Sequence, residues 1–423
     1  MDGDPAVENE LDSFSLTLPL PYRIALAIVL GVWAWGVNLQ YLSRAKIDVP
    51  SLIQYPARQS HTQPPHHLAT YRLALILSLP LGFSLLLFWA LSRRTPELVI
   101  YYDFLPMSYL CLLAAVFVAP VRQFSLMGRR RFLSTLKRVS IGGIAQTGDG
   151  KFGDILLADV LTSYAKILAD LFVALCMFFK PSGSATKRPD RACGGQYLVP
   201  IIIAIPSIIR FRQCMIEYLR VRAMNQKNGG IGAAGWGGQH LANALKYATA
   251  FPVIIFSALQ RNLSLNHEHV GMTETGLYRA WLAAVFINSF YSFYWDVAKD
   301  WDMTLFSSAR SSPKYPFGLR PRMYFASTEF YYGAMITDLL LRCTWSLKLS
   351  PHLDHFADFE SGIFLMEILE VGRRWLWIFF RVETEWVRST SAGDRLQGGF
   401  GLPGQDDVLM GDYGSGKDDS DDE

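Results

Sequence analysis

Long apolar stretches recur along the chain, each close to the roughly 20 residues that an α-helix needs to cross the hydrocarbon layer of a membrane. Aromatic residues gather at several of their ends, as at Trp33, Trp35, Trp375 and Trp377, which is typical of membrane interfaces. The pattern predicts an all-α, polytopic transmembrane bundle of about nine to ten helices. The stretches lie at 21–42, 71–91, 98–121, 154–179, 197–221, 241–261, 277–297, 329–348 and 362–381.

The composition agrees with a membrane protein. Hydrophobic residues make up 51% of the chain and charged residues 18%, and the mean hydropathy is +0.18, whereas soluble domains carry about 25% charged residues. The formal net charge of +3 is too small to indicate nucleic-acid binding, so we expect the lipid bilayer as a partner and no nucleic acid. The first 20 residues lack the positive n-region of a signal peptide, so the first apolar stretch should remain as an anchor.

Basic residues between the stretches predict the orientation. Arginines at 129–131, followed by Lys137 and Arg138, form the strongest basic loop, which should face the cytosol. Counting onward from it places the C-terminus in the cytosol and the loop at 180–196 in the lumen, although that loop contains Lys187, Arg188 and Arg191. The N-glycosylation sequon at Asn262 also falls on the lumenal side.

Four regions follow from these patterns. They are a short polar N-terminus at 1–20, N-terminal transmembrane helices with the basic loop at 21–148, a second transmembrane region at 149–390 and an acidic, disordered tail at 391–423. The segment 230–235 matches GxGxxG, but it lies between two apolar stretches rather than between a strand and a helix, so it predicts a flexible loop and not a dinucleotide site. We expect no cofactor.

Cysteine and histidine spacing predicts neither a disulfide nor a metal site. Only Cys193 lies in a predicted loop, where it has no loop partner, and no CxxC occurs. Histidines group at 61–67, 267–269 and 352–355, and the last two groups fall on the same predicted side of the membrane. A zinc site needs three or four converging ligands, and loop histidines are more often solvated. No catalytic constellation stands out, so we expect no enzyme.

Asp296 and Asp300 close the seventh stretch beside Trp295 and Trp301. On an α-helix, residues four apart share a face, so both carboxylates should point the same way. Acids at the end of a membrane helix usually face a polar cavity or a partner cation. The pair therefore indicates a polar interior. For Asp300, a solvated position at the cytosolic interface, paired with Lys299 or a loop arginine, is the alternative.

Further charges lie in or near the predicted spans. They are Asp154, Asp159, Lys166 and Asp170 in the fourth, Arg210 and Arg212 in the fifth, Lys246 in the sixth, Asp338 and Arg342 in the eighth, and Glu370, Arg373, Arg374 and Arg381 in the ninth. Each charge at bilayer depth costs about 2.5–3.5 kcal/mol, so this number of charges suggests that they converge on a polar cavity. Its cations would suit a small multivalent oxyanion, because guanidinium forms bidentate hydrogen bonds to phosphate-like oxygens.

The simpler interpretation is that these charges are structural. Asp338 with Arg342, and Glu370 with Arg374, are both spaced i,i+4 and could pair along their own helices. This explains Lys246, Arg373 and the Asp296/Asp300 pair less well, since none of them has an opposite charge at helical spacing.

Six segments at these positions carry a resemblance to a known family, including WDxxxDW at 295–301 and RRxxWxxFR at 373–381. The chain resembles the EXS family, the membrane domain shared by eukaryotic phosphate exporters and by fungal Golgi proteins identified through defective retention of ER residents. The resemblance covers about residues 150–390, and its segments are 157–163, 210–214, 243–247, 295–301, 338–345 and 373–383.

The resemblance implies an anion pathway lined by residues of these segments. The implied positions are Asp159, Lys246, Tyr247, Asp296, Asp300, Arg342, Trp345, Arg373 and Arg374; the charge pattern adds Arg210 and Glu370. Exporters of the family at the cell surface carry an SPX domain before the first span, where this chain has only about 20 residues. The short form resembles the fungal Golgi branch.

The expected function is therefore the movement of inorganic phosphate from the Golgi lumen to the cytosol, which would support glycosylation and the retention of Golgi and ER residents. An ER location is the alternative. The rival hypothesis is a sorting or scaffold protein that carries no substrate and binds Golgi glycosyltransferases or coat adaptors through its basic loop and acidic tail. The oligomeric state, including a homodimer, stays open.

Overall fold

The computed structural model describes residues 11–55, 65–121, 126–146, 149–181, 183–230, 235–266, 273–311, 316–344 and 360–397, and within these ranges it contains helices and no strand. The first helices are α1 (Ser13–Thr17), α2 (Leu20–Arg44), α3 (Val49–Leu52), α4 (His66–Ser92), α5 (Pro96–Tyr101), α6 (Phe104–Val118) and α7 (Leu126–Lys137). They are followed by α8 (Lys151–Ser163), α9 (Ala165–Phe179), α10 (Leu198–Lys227), α11 (Gly238–Ala248), α12 (Ala250–Asn266), α13 (Glu274–Trp295), α14 (Thr328–Arg342) and α15 (Glu360–Gln397).

The all-α membrane prediction is confirmed, and each of the nine predicted spans overlaps a helix or a helix pair. Within the described ranges, five helical segments are long and apolar enough to cross a membrane, or six if the bent pair of α8 and α9 is one span. The other three predicted spans correspond to α13, α14 and α15. Of these, α14 is only 15 residues long, and α15 combines an apolar face with many charged residues.

Several predicted spans are broken rather than continuous. α8 and α9 are bent by 62° around Tyr164, α5 and α6 are separated at Asp103, and α11 and α12 at Thr249. Breaks within a membrane are tolerated where the freed backbone groups face protein rather than lipid. The breaks place Ser163, Lys246 and Tyr247 in the last turns of their helices, away from continuous, purely apolar segments.

α15 is central to the C-terminal half of the protein. It packs against α2, α8, α14 and the π-turn at 296–300. Its Trp377 and Phe380 are completely buried and belong to one apolar core with Trp301 and Tyr331. α2 also packs against α4, α6 and α9 around a second core. Apolar packing therefore fixes the position of the polar side chains that α15 carries.

α15 also continues beyond its predicted span. The helix runs to Gln397, so residues 391–397, assigned above to the tail, are helical. The rest of the tail, the tip of the glycine-rich loop at 231–234 and residues 1–10 lie outside the described residues.

The expectation that no disulfide forms is wrong. Cys176 and Cys193 are bonded, with their Cα atoms 6.1 Å apart. Cys176 was counted inside an apolar span, but α9 ends at Phe179 and the following chain folds back, so that the backbone N–H of Asp190 donates to the sulfur of Met177 at 3.3 Å. Disulfides persist in oxidising compartments, which agrees with the lumenal position predicted for this loop.

A labelling experiment can check this bond. Unreduced, denatured wild type should react with maleimide at its three free cysteines, Cys111, Cys214 and Cys343, and at all five after reduction. Cys193→Ser should show the same label count with and without reductant, because Cys176 is then free. It should also lower the free energy of unfolding by about 3 kcal/mol, the value for a loop of this length. Full labelling of the unreduced wild type would contradict the bond.

Candidate functional site

Charged side chains from α8, α10, α11, α14, α15 and the π-turn at 296–300 meet in one network. It contains as many acids as bases. We call it the central charge cluster, and its members are Asp159, Arg210, Lys246, Asp296, Asp300, Asp338, Arg342, Glu370, Arg373 and Arg374. The residues picked out from separate stretches of sequence are thus brought together by the fold.

Asp296 is the most connected member and is completely buried. Its Oδ1 accepts a hydrogen bond from Lys246 Nζ at 2.8 Å. Its Oδ2 accepts one from Arg342 Nη2 and lies 3.5 Å from Arg373 Nη1. One carboxylate thus neutralises cations from α11, α14 and α15, which is how a buried charge becomes tolerable in a protein interior.

Asp300 binds the same lysine from the other side. Lys246 Nζ donates to Asp300 Oδ2 at 3.2 Å, and Arg381 Nε lies 3.9 Å from Asp300 Oδ1. The expectation of an α-helix here is wrong, because Trp301 N bonds Asp296 O at 2.9 Å and closes a π-turn. Such turns recur at functional sites. Both carboxylates nevertheless converge on Lys246, and only 15% of the Asp300 side chain is exposed.

Asp159 binds side chains from α10 and α11 at one edge of the cluster. Its Oδ1 accepts hydrogen bonds from Arg210 Nε at 2.8 Å and from the Tyr247 hydroxyl at 2.5 Å. The Arg210 guanidinium also lies over the Tyr247 ring, 4.8 Å from its centroid, and donates to Gln213 Oε1 at 2.5 Å. All four side chains are buried, so Arg210 is committed to its partners here.

Asp338 is the member that sequence reasoning assigned to a structural pair only. It does bond Arg342 Nε, at 3.0 Å, as its i,i+4 spacing predicts. Its other oxygen accepts a hydrogen bond from Arg373 Nη1 at 2.9 Å and so joins α14 to α15. Helical spacing reveals partners on one helix, and nothing in the sequence indicated this second contact.

Glu370 binds Arg373 and not Arg374. Arg373 Nη2 and Nε donate to the two oxygens of Glu370 at 2.6 and 2.9 Å. The predicted i,i+4 pair of Glu370 with Arg374 is therefore wrong. Glu370 and Arg373 are spaced i,i+3, which also places two side chains on one face of a helix.

Arg374 is the cation without a carboxylate partner. It donates from Nε to Ser163 Oγ at 3.0 Å and from Nη2 to Thr162 Oγ1 at 3.1 Å, and it stacks on Trp377 with its Cζ 4.5 Å from the ring centroid. No acid among the described residues lies within ion-pair distance. Its Nη1 is buried and has no hydrogen-bond acceptor among the described residues. Only 5% of the whole residue is exposed.

Ser163 connects this arginine to the open side of the cluster. Its hydroxyl accepts from Arg374 Nε and donates to Glu370 Oε1 at 2.7 Å. The Glu370 side chain is 39% exposed, far more than its buried partner Arg373. A free donor and an accessible carboxylate thus lie on the two sides of one serine, which sequence analysis included in a motif without assigning it a role.

The remaining predicted charges lie elsewhere. Arg212 is exposed and donates only to the Ile141 carbonyl. Asp154 accepts hydrogen bonds from Arg138 and from Ala145 N. The hydrogen bonds from Arg138 to Asp154 raise the pKa of that arginine above its ordinary value. Asp170 lies near Arg191.

Two further expectations concern residues of which some lie outside the described ranges. Trp345 lies outside the described residues, as do all the candidate metal-binding histidines except His66 and His67. Across the ranges that the structure covers, no three His, Cys, Asp or Glu side chains are grouped as metal ligands. The role of Trp345 stays a prediction.

The network contains donors of the kind that bind oxyanions. Guanidinium groups recognise oxyanions through forked, charge-assisted hydrogen bonds. The unused Nη1 of Arg374 supplies one such donor directly. Arg373 and Arg342 could supply others by exchanging a carboxylate partner for a bound anion.

Comparison with known proteins identifies the family. The model of the EXS family matches residues 18–387. The chain belongs to the EXS family. This EXS match begins well before residue 150, so it includes the N-terminal helices that the motif resemblance did not reach.

Relatives of this EXS protein differ in how much of their length aligns with it. Protein ERD1 homolog 1 from Schizosaccharomyces pombe is 30% identical over 385 residues, which are 91% of this chain and 95% of the relative. ERD1 homolog 2 from the same yeast is 28% identical over 398 residues, or 86% and 96%. Human solute carrier family 53 member 1 is 30% identical over 283 residues, but these are 63% of this chain and only 37% of that protein. The EXS chain is thus a multi-pass membrane protein similar to ERD1 homologs over almost their full length.

Proposed function

We propose that this EXS protein moves inorganic phosphate across the membrane, from the Golgi lumen to the cytosol. Arg374 carries the proposal, because its buried Nη1 has no acceptor among the described residues and no carboxylate there lies within ion-pair distance of the guanidinium. A buried donor without a hydrogen-bond partner is unfavourable. A phosphate oxygen would supply the missing acceptor and a direct charge partner.

The neighbouring cations extend the site. Arg373 and Arg342 are each held by acids, so an incoming anion would compete with Asp296, Asp338 and Glu370 for their hydrogen bonds. The acids keep the cations in place when the site is empty. They also weaken binding of the anion, and a transported ion must be able to leave as well as bind.

Lys246 and Arg210 line a further part of the proposed path. Lys246 is clamped between Asp296 and Asp300, and Arg210 is locked onto Asp159 with Tyr247. In this proposal Tyr247, and with it Trp345, shapes or gates the path. Opening would require the hydrogen bond from Tyr247 to Asp159 to break.

The compartment and the physiological role are inferred more indirectly. The Cys176–Cys193 disulfide supports an oxidising lumen on one side of the membrane. Near full-length similarity to ERD1 homologs supports a place in the secretory pathway, and the resemblance to the fungal Golgi branch favours the Golgi within it. Phosphate released there by nucleotide-sugar glycosylation would be returned to the cytosol, which would support glycosylation and the retention of resident proteins.

The scaffold hypothesis receives less support. Its basic cytosolic surface includes Arg129, which is buried and donates to the carbonyls of Phe117, Ala119 and Val121 at the end of α6. Arg138 from the same segment is bound to Asp154. These two arginines therefore have structural partners within the protein.

Radiolabelled phosphate flux into proteoliposomes tests the proposal. Purified full-length protein should carry phosphate down its gradient, and protein-free vesicles should not. Truncation after Gln397 leaves α15 intact and should leave flux unchanged, whereas a scaffold that recruits partners through its tail should lose that recruitment. A folded, inserted wild type without flux, in both orientations of a phosphate gradient, would favour the scaffold hypothesis.

A further inference from the structure

A second group of charges lies at the N-terminal end of α15, apart from the central charge cluster. It centres on Glu360, whose Oε2 accepts from Arg23 Nη1 at 2.6 Å. Arg191 donates to both oxygens of Glu360, from Nη1 at 2.7 Å and from Nη2 at 3.2 Å. Both arginines are thus committed to a single carboxylate.

The other acids of this group have weaker or no partners. Asp170 on α9 lies 4.0 Å from Arg191 Nε, beyond hydrogen-bond distance. The remaining donors of Arg23 bind the Leu18 carbonyl and the Ser15 hydroxyl. Neither arginine therefore has a donor in hydrogen-bond contact with a carboxylate other than Glu360.

Glu367 is the acid without a partner. Only 5% of it is exposed, and it forms no hydrogen bond or ion pair within the described part of the chain. Charged groups act on it from α2, from α9 and from the loop after α9, and they are Arg23, Lys166, Asp170 and Arg191. Its own helix carries further charges within seven residues, at Glu360, Glu370, Arg373 and Arg374.

The charges in this group do not balance. Three acids, Asp170, Glu360 and Glu367, share two buried or partly buried arginines, and Lys166 is exposed. An isolated ionised carboxylate in a protein interior is strongly unfavourable unless it is paired or neutralised. A proton on Glu367 removes that cost without any rearrangement.

We propose that Glu367 is a proton-binding site, with Asp170 as its neighbouring acid, and that this proton moves together with the transported anion. The second part rests on the proposed function. Binding forms an O–H bond on the Glu367 carboxylate with a proton from the lumenal side, and release breaks that bond, so no oxidant or other reactant is needed.

The position of Glu367 on α15 connects proton binding with anion binding. Residues seven apart lie on the same face of a helix, so Glu360, Glu367 and Arg374 form one line along α15. An anion at Arg374 adds negative charge to this face and so favours a proton on Glu367. By linkage, a proton on Glu367 must favour the anion to the same extent.

Glu367→Gln is the test variant, because glutamine is neutral and close in shape to a protonated glutamate, so the protein should fold. Infrared spectra of the reconstituted full-length protein at pH 7 should contain the C=O band of a protonated carboxyl in wild type and lack it in Glu367→Gln. The matched control Asp302→Asn alters an acid that is 36% exposed and should keep the band. A band that persists in Glu367→Gln, or that wild type lacks, would overturn the proton site.

Phosphate flux tests the coupling separately. With one proton per anion, a pH difference of one unit should change the accumulation of labelled phosphate by wild type about tenfold. Glu367→Gln should still exchange phosphate but respond less, the residual response coming from the ionisation of phosphate itself. Equal responses would refute the coupling. A wild type without phosphate exchange would refute the proposed function and the coupling, while the infrared band would still decide whether Glu367 holds a proton.

Discussion

Replacing Arg374 with glutamine should abolish phosphate transport while leaving the protein folded and close to wild type in stability. The side chain forms hydrogen bonds only to two hydroxyls and has no carboxylate partner in the described structure. Hydrogen bonds to charged groups contribute about 1.5–3 kcal/mol each, so losing two of them to a bound anion weakens apparent affinity about 100-fold or more. Because no described carboxylate lies within ion-pair distance of Arg374, its loss should cost less stability than breaking one of the direct ion pairs of the cluster.

Flux in proteoliposomes and thermal unfolding in detergent would be measured on the same preparations. Arg212→Gln is the matched control, since that arginine is also helical but is exposed, and its one hydrogen bond within the described residues is to the Ile141 carbonyl. Arg374→Lys should retain part of the flux, because lysine keeps the charge but lacks the forked geometry. Undiminished flux in Arg374→Gln would remove Arg374 from the pathway.

Loss of transport accompanied by a large loss of stability would also contradict this account. It would mean that the contacts of Arg374 with Ser163, Thr162 and Trp377 hold the fold together, and that its charge stabilises the protein rather than a bound anion. The combination of lost flux and retained stability is therefore the specific expectation.

The sequence predicted the membrane fold and most of the cluster because both follow from local signals. Apolar stretches of sufficient length predict the helices. Ionisable residues within them cost free energy in the membrane unless they converge and pair. Lys246 and Asp296 illustrate the point. Neither has an opposite charge four residues away on its own helix, and the structure pairs each with the other at 2.8 Å.

Partner choice was predicted less well, because it depends on how helices meet. Glu370 could reach Arg373 or Arg374 on its own helix, and the choice is made by Ser163, which approaches from α8 and accepts from Arg374. Asp338 likewise gained Arg373 as a partner only through the packing of α14 on α15. Periodicity along one helix contains no information about such contacts.

The disulfide was missed for a related reason. Cys176 was counted inside the fourth apolar stretch, and its partner Cys193 lies 17 residues later in a polar loop. Only the fold shows that the chain after α9 turns back onto its last turn. Hydropathy predicted the end of this span at residue 179, where α9 does end, but it contains no information on the path of the loop that follows.

Replacing Asp296 with asparagine should have the largest effect on folding. Its carboxylate contacts Lys246, Arg342 and Arg373, and it is completely buried. Removing one partner from a buried ion network leaves cations uncompensated and typically costs about 3–5 kcal/mol. Asn can accept hydrogen bonds in the same place but carries no charge, so the loss should come from electrostatics rather than from an altered shape.

The measurement is the free energy of unfolding in detergent, with Asp302→Asn as the matched control. Asp302 is 36% exposed and lies 3.5 Å from Arg388, and exposed pairs contribute about 0–1 kcal/mol, so that variant should unfold close to wild type. Combining Asp296→Asn with Lys246→Gln restores the balance of acids and bases. The double variant should therefore be more stable than the sum of the two single losses predicts. If the stability loss of the double variant equals the sum of the two single losses, the balance of charge does not hold the cluster together. The proposal that the acids release their cations to an incoming anion would then fail.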